Sequence, residues 1–196
     1  FTCGIPHSQW VGAAHAAALG FCAGDPEKGL NDGSLMADCC KLVGILSKKI
    51  DEGKRIRIIG DYDVDGVCST YILQTVLDAV GAVADHVIPD RVRDGYGLNT
   101  RLIEEAVQDG VDTILTCDNG INAFAEIEKA CASGLTVLVT DHHSVSFTTE
   151  GEQRKQLLPG ADAIVNPHRS DCSYPYKELC GAAVAYRLSQ ELLKQR

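Results

Sequence analysis

The sequence has 196 residues, of which 45% are hydrophobic and 23% are charged, both ordinary fractions for a globular protein. Its formal net charge of −9 argues against a surface that coats nucleic acid non-specifically, although an enzyme that meets phosphates through metal ions remains compatible with it. No apolar run approaches the length of a membrane span, and no basic-then-apolar leader is visible, so we expect no membrane segment.

The cysteine content indicates the cellular compartment. Nine cysteines are present, an odd number without a C-x-x-C pair, and Cys39 and Cys40 are adjacent. Disulfides and a zinc site are the alternatives, but this pattern favours neither. We therefore expect buried, reduced thiols in a cytoplasmic protein.

The beginning of the chain predicts little structure. Residues 1–30 are rich in alanine and glycine, typical of a loose helix followed by a turn at Asp25-Pro26, and we leave this segment without an assigned structure. We assign residues 31–196 to one domain. Because the first residue is Phe1 and the final "LSQELLKQR" has the pattern of a helix that is cut off, we expect a fragment of a longer protein.

The remaining sequence alternates between strands and helices. Residues 35–50 have apolar residues at helical spacing, and from Lys54 onward short apolar runs alternate with helical patterns that often end at glycine. Asn99 or Thr100 is a capping candidate. This alternation predicts an α/β fold with a mostly parallel β-sheet and helices on both faces. The predicted strands are residues 55–60, 82–89, 111–117, 135–140 and 161–167, and the later helices are residues 67–81, 99–110, 122–134 and 177–196.

The stretch "GDYDVDG", residues 60–66, has the pattern of a calcium-binding EF-hand loop. Asp61, Asp63, Asp65 and Gly66 occupy positions 1, 3, 5 and 6, but position 12, which needs a bidentate glutamate, is Ile72. A strand pattern precedes the loop where an EF-hand has a helix. We therefore reject the calcium loop and expect Gly66 to allow a tight turn into the next helix.

Acidic residues follow three of the predicted strands directly. The first strand leads into "GDYDVDG", the next into Asp118, and the following one into Asp141, His142 and His143. Open α/β sheets place their ligand crevice at the carboxyl ends of the strands. Taken singly, Asp118 is typical of a turn and histidine pairs are often surface residues. Together, these carboxylates would repel one another without a cation.

The types of the candidate ligands indicate which metal ion the site would bind. Oxygen-rich ligands with one or two histidines suit Mn²⁺ or Mg²⁺ better than zinc or copper. Two such ions about 3.5–4 Å apart are a standard arrangement for phosphoester hydrolysis. The sequence therefore predicts a two-ion Mn²⁺ or Mg²⁺ site.

The strings "GDYDVDG", "DNG" and "VTDHHS", in this order, resemble those of the DHH phosphoesterase superfamily. Three further stretches, "LNDGSLMADC", "IPDRVRDGYGLN" and "LPGADAIVNPHRSDCSYPYKELCGAAVAYRL", are similar to RecJ-type single-strand-specific exonucleases, and the likeness runs from about residue 30 to residue 196. The resemblance implies the DHH catalytic domain of a divalent-metal-dependent 5′-to-3′ exonuclease that acts on single-stranded DNA in repair and recombination.

The resemblance also implies a set of metal ligands. Asp63 would bind one ion and Asp65 the other, and Asp118 would bridge both. His142 would be a ligand of the second ion. Asp61 would be a further ligand or a support that orients the ligands.

Substrate contacts are implied in the same way. His143 would face the scissile phosphate as a hydrogen-bond donor or general acid, and Asp141 would support the catalytic groups. Arg91, Arg93 and Tyr96 would contact the phosphate or a base of the substrate. The alternative for these last three residues is a solvated loop.

Family members carry a further metal-binding aspartate after the "GAAVAYRL" helix, and the sequence stops inside that helix. The resemblance therefore implies a domain truncated before its last metal-ligand motif and before a second domain. We accordingly expect the isolated chain to bind Mn²⁺ weakly and to have little nuclease activity.

Two other functions remain open. A DHH phosphodiesterase could act on short oligonucleotides, cyclic dinucleotides or pyrophosphate, and a non-catalytic DHH scaffold could bind partners in a replication complex. A scaffold has no need of a metal site, whereas Asp63, Asp65, Asp118, His142 and His143 are all present. The ligand set therefore favours an enzyme.

Overall fold

The computed structural model describes residues 31–150 and 153–196, so the expected helix and turn within residues 1–30 lie outside the described part. Within these ranges, no helix is long and apolar enough to cross a membrane. The strands are β1 (Arg55–Ile59), β2 (Val83–Val87), β3 (Thr113–Cys117), β4 (Thr136–Thr140), β5 (Phe147–Glu150), β6 (Gln153–Gln156) and β7 (Ala163–Val165). The helices are α1 (Cys39–Asp51), α2 (Val64–Ala79), α3 (Thr100–Gln108), α4 (Phe124–Ala132) and α5 (Gly181–Gln195), with a short 3₁₀ turn at Gly33–Leu35.

Five strands form one parallel sheet in the order β2-β1-β3-β4-β7, which confirms the predicted mostly parallel sheet. The chain passes from β1 outward to β2 and then returns to place β3 on the other side of β1. Such a reversal of strand order opens a crevice at the carboxyl ends of the strands. Because β1, β3 and β4 are neighbours, the acidic segments that follow them meet at this edge.

Helices cover both faces of the sheet, as predicted. Ile56 and Ile58 of β1 pack in the cluster that contains residues of α1, α2 and α5, whereas Ile59 packs in the cluster that contains residues of α3 and α4. All three side chains are fully buried. Burying a side chain of this size contributes roughly 1.5–3 kcal/mol, so the two apolar layers hold the strand ends in fixed positions.

Several predicted helix ends are confirmed. The side chain of Asn99 accepts a hydrogen bond from the backbone N–H of Leu102 at 3.1 Å, so Asn99 is the cap of α3. Gly81 and Gly110 follow α2 and α3 with φ values of 75° and 69°. This left-handed conformation ends a helix and is easiest for glycine.

The start of α2 differs from the prediction. The helix begins at Val64, and its cap is Asp63, whose carboxylate accepts the N–H of Gly66 at 2.9 Å. Gly66 lies in the first turn of the helix, so the expected turn at this residue is wrong. A Cβ at Gly66 would lie 2.5 Å from the carbonyl oxygen of Asp61. Glycine therefore allows α2 to approach the end of β1 closely.

Other boundaries also differ. α1 begins at Cys39 and α5 at Gly181, later than the predicted starts at residues 35 and 177. The antiparallel hairpin of β5 and β6 was not predicted, because its sequence is mostly polar and lacks an apolar face.

The cysteines of the described part are free thiols, and Cys39, Cys117 and Cys172 are buried. Cys40 and Cys68 are exposed, so the prediction of burial is wrong for these two. Both lie on helices, where the period of 3.6 residues places some positions on the solvent face.

The close approach at Gly66 can be tested by substitution. We expect Gly66→Ala to lower the free energy of unfolding by about 1–3 kcal/mol, because the added Cβ overpacks the contact with Asp61. Gly44, in α1, is the matched control because a Cβ there has no atom within 4 Å. Gly44→Ala should raise stability by about 0.5–1 kcal/mol. Urea denaturation measures both, and equal effects of the two substitutions would contradict this account of Gly66.

Candidate metal centre

Three carboxylates converge at the carboxyl edge of the sheet. Oxygens of Asp61, Asp63 and Asp118 all lie within 4.8 Å of one another. Asp61 comes directly after the end of β1, Asp63 caps α2, and Asp118 follows β3. Asp61 and Asp118 are each only 2% exposed, whereas Asp63 faces solvent. The fold therefore assembles an open-sided group of oxygen ligands from two strand ends.

Two histidines adjoin this group. His142 Nε2 lies 3.0 Å from Asp118 Oδ1 and 3.5 Å from Asp65 Oδ2. Ligand atoms of Asp118, His142 and His143 form a second group within 4.8 Å. Asp118 thus belongs to both groups, which is the position expected of a bridging ligand.

The conformation of Asp118 is unusual. Its φ is 61°, in the left-handed region that non-glycine residues rarely adopt and that often occurs at functional sites. Its backbone N–H donates to the carbonyl of Thr140 at 3.1 Å, next to the end of β4. A Cβ at Gly181 would lie 2.5 Å from Asp118 Oδ1. Glycine at the start of α5 therefore leaves room for this carboxylate.

Asp65 is held by a helix terminus. Its Oδ2 accepts the N–H of Gly181 at 2.7 Å and its Oδ1 accepts the N–H of Ala182 at 2.8 Å. These are the first amides of α5, where the helix dipole favours negative charge. Each carboxylate oxygen has a second lone pair, so the role of Asp65 as a metal ligand stays a prediction.

Asp141 orients His143. This carboxylate is 1% exposed, and its Oδ1 accepts the backbone N–H groups of His142 and His143 and lies 2.7 Å from His143 Nδ1. Its Oδ2 accepts the N–H of Ile121 at 2.9 Å. The hydrogen bond that the ring donates to Asp141 raises the pKa of His143 to about 9 despite burial of the ring. This hydrogen bond favours the protonated form of His143, in which the ring is a hydrogen-bond donor.

Of the three predicted substrate contacts between β2 and α3, Tyr96 reaches the centre. Its hydroxyl donates to the carbonyl oxygen of Asp118 at 2.9 Å and lies 3.1 Å from His143 Nδ1. Arg91 and Arg93 are exposed and make no hydrogen bond to the centre within the described residues. The guanidinium of Arg91 lies 5.4 Å from the ring centroid of Tyr62.

The centre has the features that a cation would satisfy. Within the described residues, Asp61 Oδ1 and Asp118 Oδ1 are buried oxygens without an assigned hydrogen bond, although His142 Nε2 lies 3.0 Å from Asp118 Oδ1. Burial raises the pKa of Asp118 to about 7 and also raises the pKa of Asp61. A buried carboxylate without a donor is costly unless a cation offsets it. Carboxylate oxygens with imidazole nitrogen fit Mn²⁺ or Mg²⁺.

No role was predicted for Asn119. It is fully buried, and its Nδ2 donates to the carbonyl oxygens of Ile59, Gly60 and Cys117 at 2.9–3.0 Å. Its Oδ1 accepts the N–H of Leu98 at 3.2 Å. Asn119 therefore ties the ends of β1 and β3 together. The sequence signal that could have indicated this role is an amide side chain two residues after the end of β3, next to the reversal of strand order.

Asn166 was also missed. This buried residue follows β7, and its Nδ2 donates to the backbone carbonyl of His143 at 3.0 Å while its Oδ1 accepts the N–H of His168 at 2.8 Å. It fixes the backbone of the histidine pair from the neighbouring strand. The signal in the sequence that could have indicated this role is a polar residue, Asn166, directly after the apolar strand β7.

Comparison with known proteins identifies the family to which this chain belongs. Residues 55–196 match the sequence profile of the DHH family, N-terminal domain. This chain belongs to the DHH family. The predicted superfamily resemblance is therefore confirmed, and the metal centre described above lies in a DHH domain.

The DHH domain is similar to RecJ proteins. The single-stranded-DNA-specific exonuclease RecJ of Dickeya dadantii strain 3937 is 36% identical over 166 residues, which are 84% of this chain and 27% of the relative. RecJ of Escherichia coli strain K12 is 40% identical over 149 residues, or 76% of this chain and 24% of the relative. A crystal structure of exonuclease RecJ bound to manganese matches with a TM-score of 0.69 and 32% identity, covering 82% of this chain and 38% of that one. The chain thus spans about a quarter of the length of these curated relatives.

Metal binding to the DHH domain predicts a change in stability. Saturation with Mn²⁺ at about 100 times its Kd would add about 2.7 kcal/mol, which raises the unfolding midpoint by roughly 5–10 °C. In Asp118→Asn the shift should largely disappear, because both groups of ligands lose a shared anion. In chelator, the same variant should be at least as stable as the parent, since a buried negative charge is removed from a group of carboxylates.

Thermal unfolding followed by circular dichroism, with Mn²⁺ and with chelator, measures these effects. Asp78→Asn is the control, because Asp78 is an exposed carboxylate near the carboxyl-terminal end of α2. An undiminished Mn²⁺ shift in Asp118→Asn would show that the ion binds elsewhere.

Proposed function

We propose that this chain is the catalytic domain of a divalent-metal-dependent exonuclease that hydrolyses single-stranded DNA. The observation that carries the proposal is the pair of ligand groups sharing Asp118 at the carboxyl edge of a DHH domain. Similarity to RecJ proteins, named as single-stranded-DNA-specific exonucleases, supports the choice of substrate. The 5′-to-3′ direction and a role in DNA repair and recombination rest on this same likeness.

We propose Mn²⁺ or Mg²⁺ as the bound ions. Asp63 and Asp118, with Asp61 beside them, would hold one ion, and Asp65, Asp118 and His142 would hold the other. Manganese in the similar RecJ structure supports this choice. When bound, such ions lower the pKa of a water molecule and offset charge on the phosphate.

The remaining residues act on the substrate directly or through one another. His143 holds a proton that its hydrogen bond with Asp141 stabilises, so it can donate to a phosphate oxygen. Tyr96 contacts both the Asp118 carbonyl and the His143 ring and so fixes their separation. Arg91 and Arg93 are exposed cations on the adjoining loop, and guanidinium groups bind phosphate bidentately.

We also propose a cytoplasmic location. The exposed thiols of Cys40 and Cys68 are free, and exposed thiols persist best in a reducing compartment.

The function is tested with the full-length protein and single-stranded oligonucleotides labelled at either end. With Mn²⁺ or Mg²⁺, we expect labelled mononucleotide to appear first from the 5′-labelled strand, and a chelator should stop the reaction. Asp118→Asn should lower the rate about 10³-fold, because metal stabilisation of the transition state is worth several kcal/mol.

Three results would contradict the proposal. Normal cleavage by Asp118→Asn would remove the two-ion assignment, and first release from the 3′-labelled strand would reverse the direction. Cleavage restricted to very short oligonucleotides would instead assign an oligonucleotide phosphodiesterase. Asp78→Asn serves as the control for a carboxylate outside the centre.

A further inference from the structure

A cavity of about 290 Å³ lies beside the metal centre. Its walls come from the segment around Tyr96 and Leu98, the turn that follows Asp118, and the first turn of α4. The roles assigned above to Tyr96 and His143 concern the metal centre and leave the rest of this cavity without an assigned occupant. Its position therefore raises the question of which part of a substrate it holds.

The cavity and the metal centre share a wall. His143 lines the cavity, and its ring also belongs to the group of ligand atoms within 4.8 Å that contains Asp118. Tyr96 lines the cavity as well, with its hydroxyl 2.9 Å from the Asp118 carbonyl oxygen. A phosphate held at the centre would therefore have one of its attached nucleosides at the cavity.

The walls suit a neutral group with apolar faces. Leu98 and Ile121 are among the lining residues, and the ring of Tyr96 adds an aromatic surface. Among the described residues, no lysine or arginine lines the cavity, which disfavours a second phosphate as its occupant. A lining that combines apolar or aromatic surface with polar groups is able to hold a base, which has apolar faces and polar edges.

One polar group in the lining is unengaged. Asn122 is occupied, since its Nδ2 donates to the Ser144 carbonyl at 3.2 Å and its Oδ1 accepts from Ser146 Oγ at 2.7 Å. Glu126, in the first turn of α4, has no hydrogen-bond or ion-pair partner in the described part of the chain. A carboxylate accepts hydrogen bonds from the exocyclic amino groups of bases.

We propose that this cavity binds the base of one of the two nucleotides joined by the scissile phosphate, with Glu126 accepting a hydrogen bond from its amino group. The inference rests on the proposed exonuclease function and names the part of the substrate that the same site recognises. Pockets for drug-sized ligands measure about 300–1,000 Å³. A cavity of about 290 Å³ therefore takes a single base, which suits an enzyme that removes one nucleotide at a time.

Abasic substrates test the proposal in the full-length protein. Two single strands would carry a tetrahydrofuran abasic site on either side of the bond that is cut. We expect one of them to lower kcat/KM about tenfold relative to the normal strand, as the loss of stacking predicts. Equal kcat/KM for all three strands would overturn the proposal.

A substitution that fills the cavity should remove the difference in kcat/KM between normal and abasic strands. In Ala123→Phe, the normal and abasic strands should be cut at the same reduced rate. Ala125→Phe is the matched control because Ala125 is exposed on α4 and does not line the cavity, so it should keep the discrimination. Persistent discrimination in Ala123→Phe would place base recognition elsewhere.

The proposed contact of Glu126 predicts a preference between two bases. With cytosine or thymine at the recognised position, we expect the parent protein to cut the cytosine strand several-fold faster, and Glu126→Ala should abolish the difference. A cytosine preference that survives in Glu126→Ala, or that is absent from the parent protein, would overturn the assigned contact.

A binding measurement separates this proposal from the nuclease function. Calorimetry with Mn²⁺ would compare deoxycytidine 5′- and 3′-monophosphates with the corresponding deoxyribose phosphates. Tighter binding of one nucleotide by about tenfold, lost in Ala123→Phe, would establish the base pocket even if the protein cut no DNA, and the nuclease proposal alone would then fail. Equal binding of nucleotide and sugar phosphate would overturn the base pocket even in an active nuclease.

Discussion

The structure depends on how buried negative charge is offset where the parallel strands end. Asp61, Asp118 and Asp141 are nearly inaccessible to solvent, yet they follow three neighbouring strands. Asp141 is satisfied by three backbone amides and His143, and Asp65 is satisfied by the first amides of α5. Asp61 and Asp118 each keep one buried oxygen without a donor. A divalent cation bound at this edge would offset this charge.

The fold holds these groups with rigid elements. The reversal of strand order separates β2 from β3 and opens the edge at which the carboxylates meet. Asn119 joins the ends of β1 and β3, and the glycines at positions 66 and 181 allow two helices to approach Asp61 and Asp118 closely. Ligands placed by strands and helices hold a fixed separation, which a site that binds two ions needs.

Local patterns in the sequence predicted the sheet and the acidic edge well. An apolar run such as residues 55–59 followed by aspartates is visible without a structure, and so is a histidine pair after residues 136–140. Contacts between distant residues were not predictable in this way. Asn119 contacts Ile59, 60 residues away, and Asp65 contacts Gly181, 116 residues away. The role of Gly66 was misjudged for the same reason, because its constraint comes from tertiary packing.

The central claim is that Asp118 joins two groups of ligands around divalent ions. Diffraction from crystals grown with Mn²⁺, recorded near the manganese absorption edge, tests it most directly. The account predicts anomalous peaks within bonding distance of Asp118, one on the side of Asp63 and one on the side of His142. Manganese bound only at positions that Asp118 does not reach, or no anomalous peak at this edge of the sheet, would contradict the account.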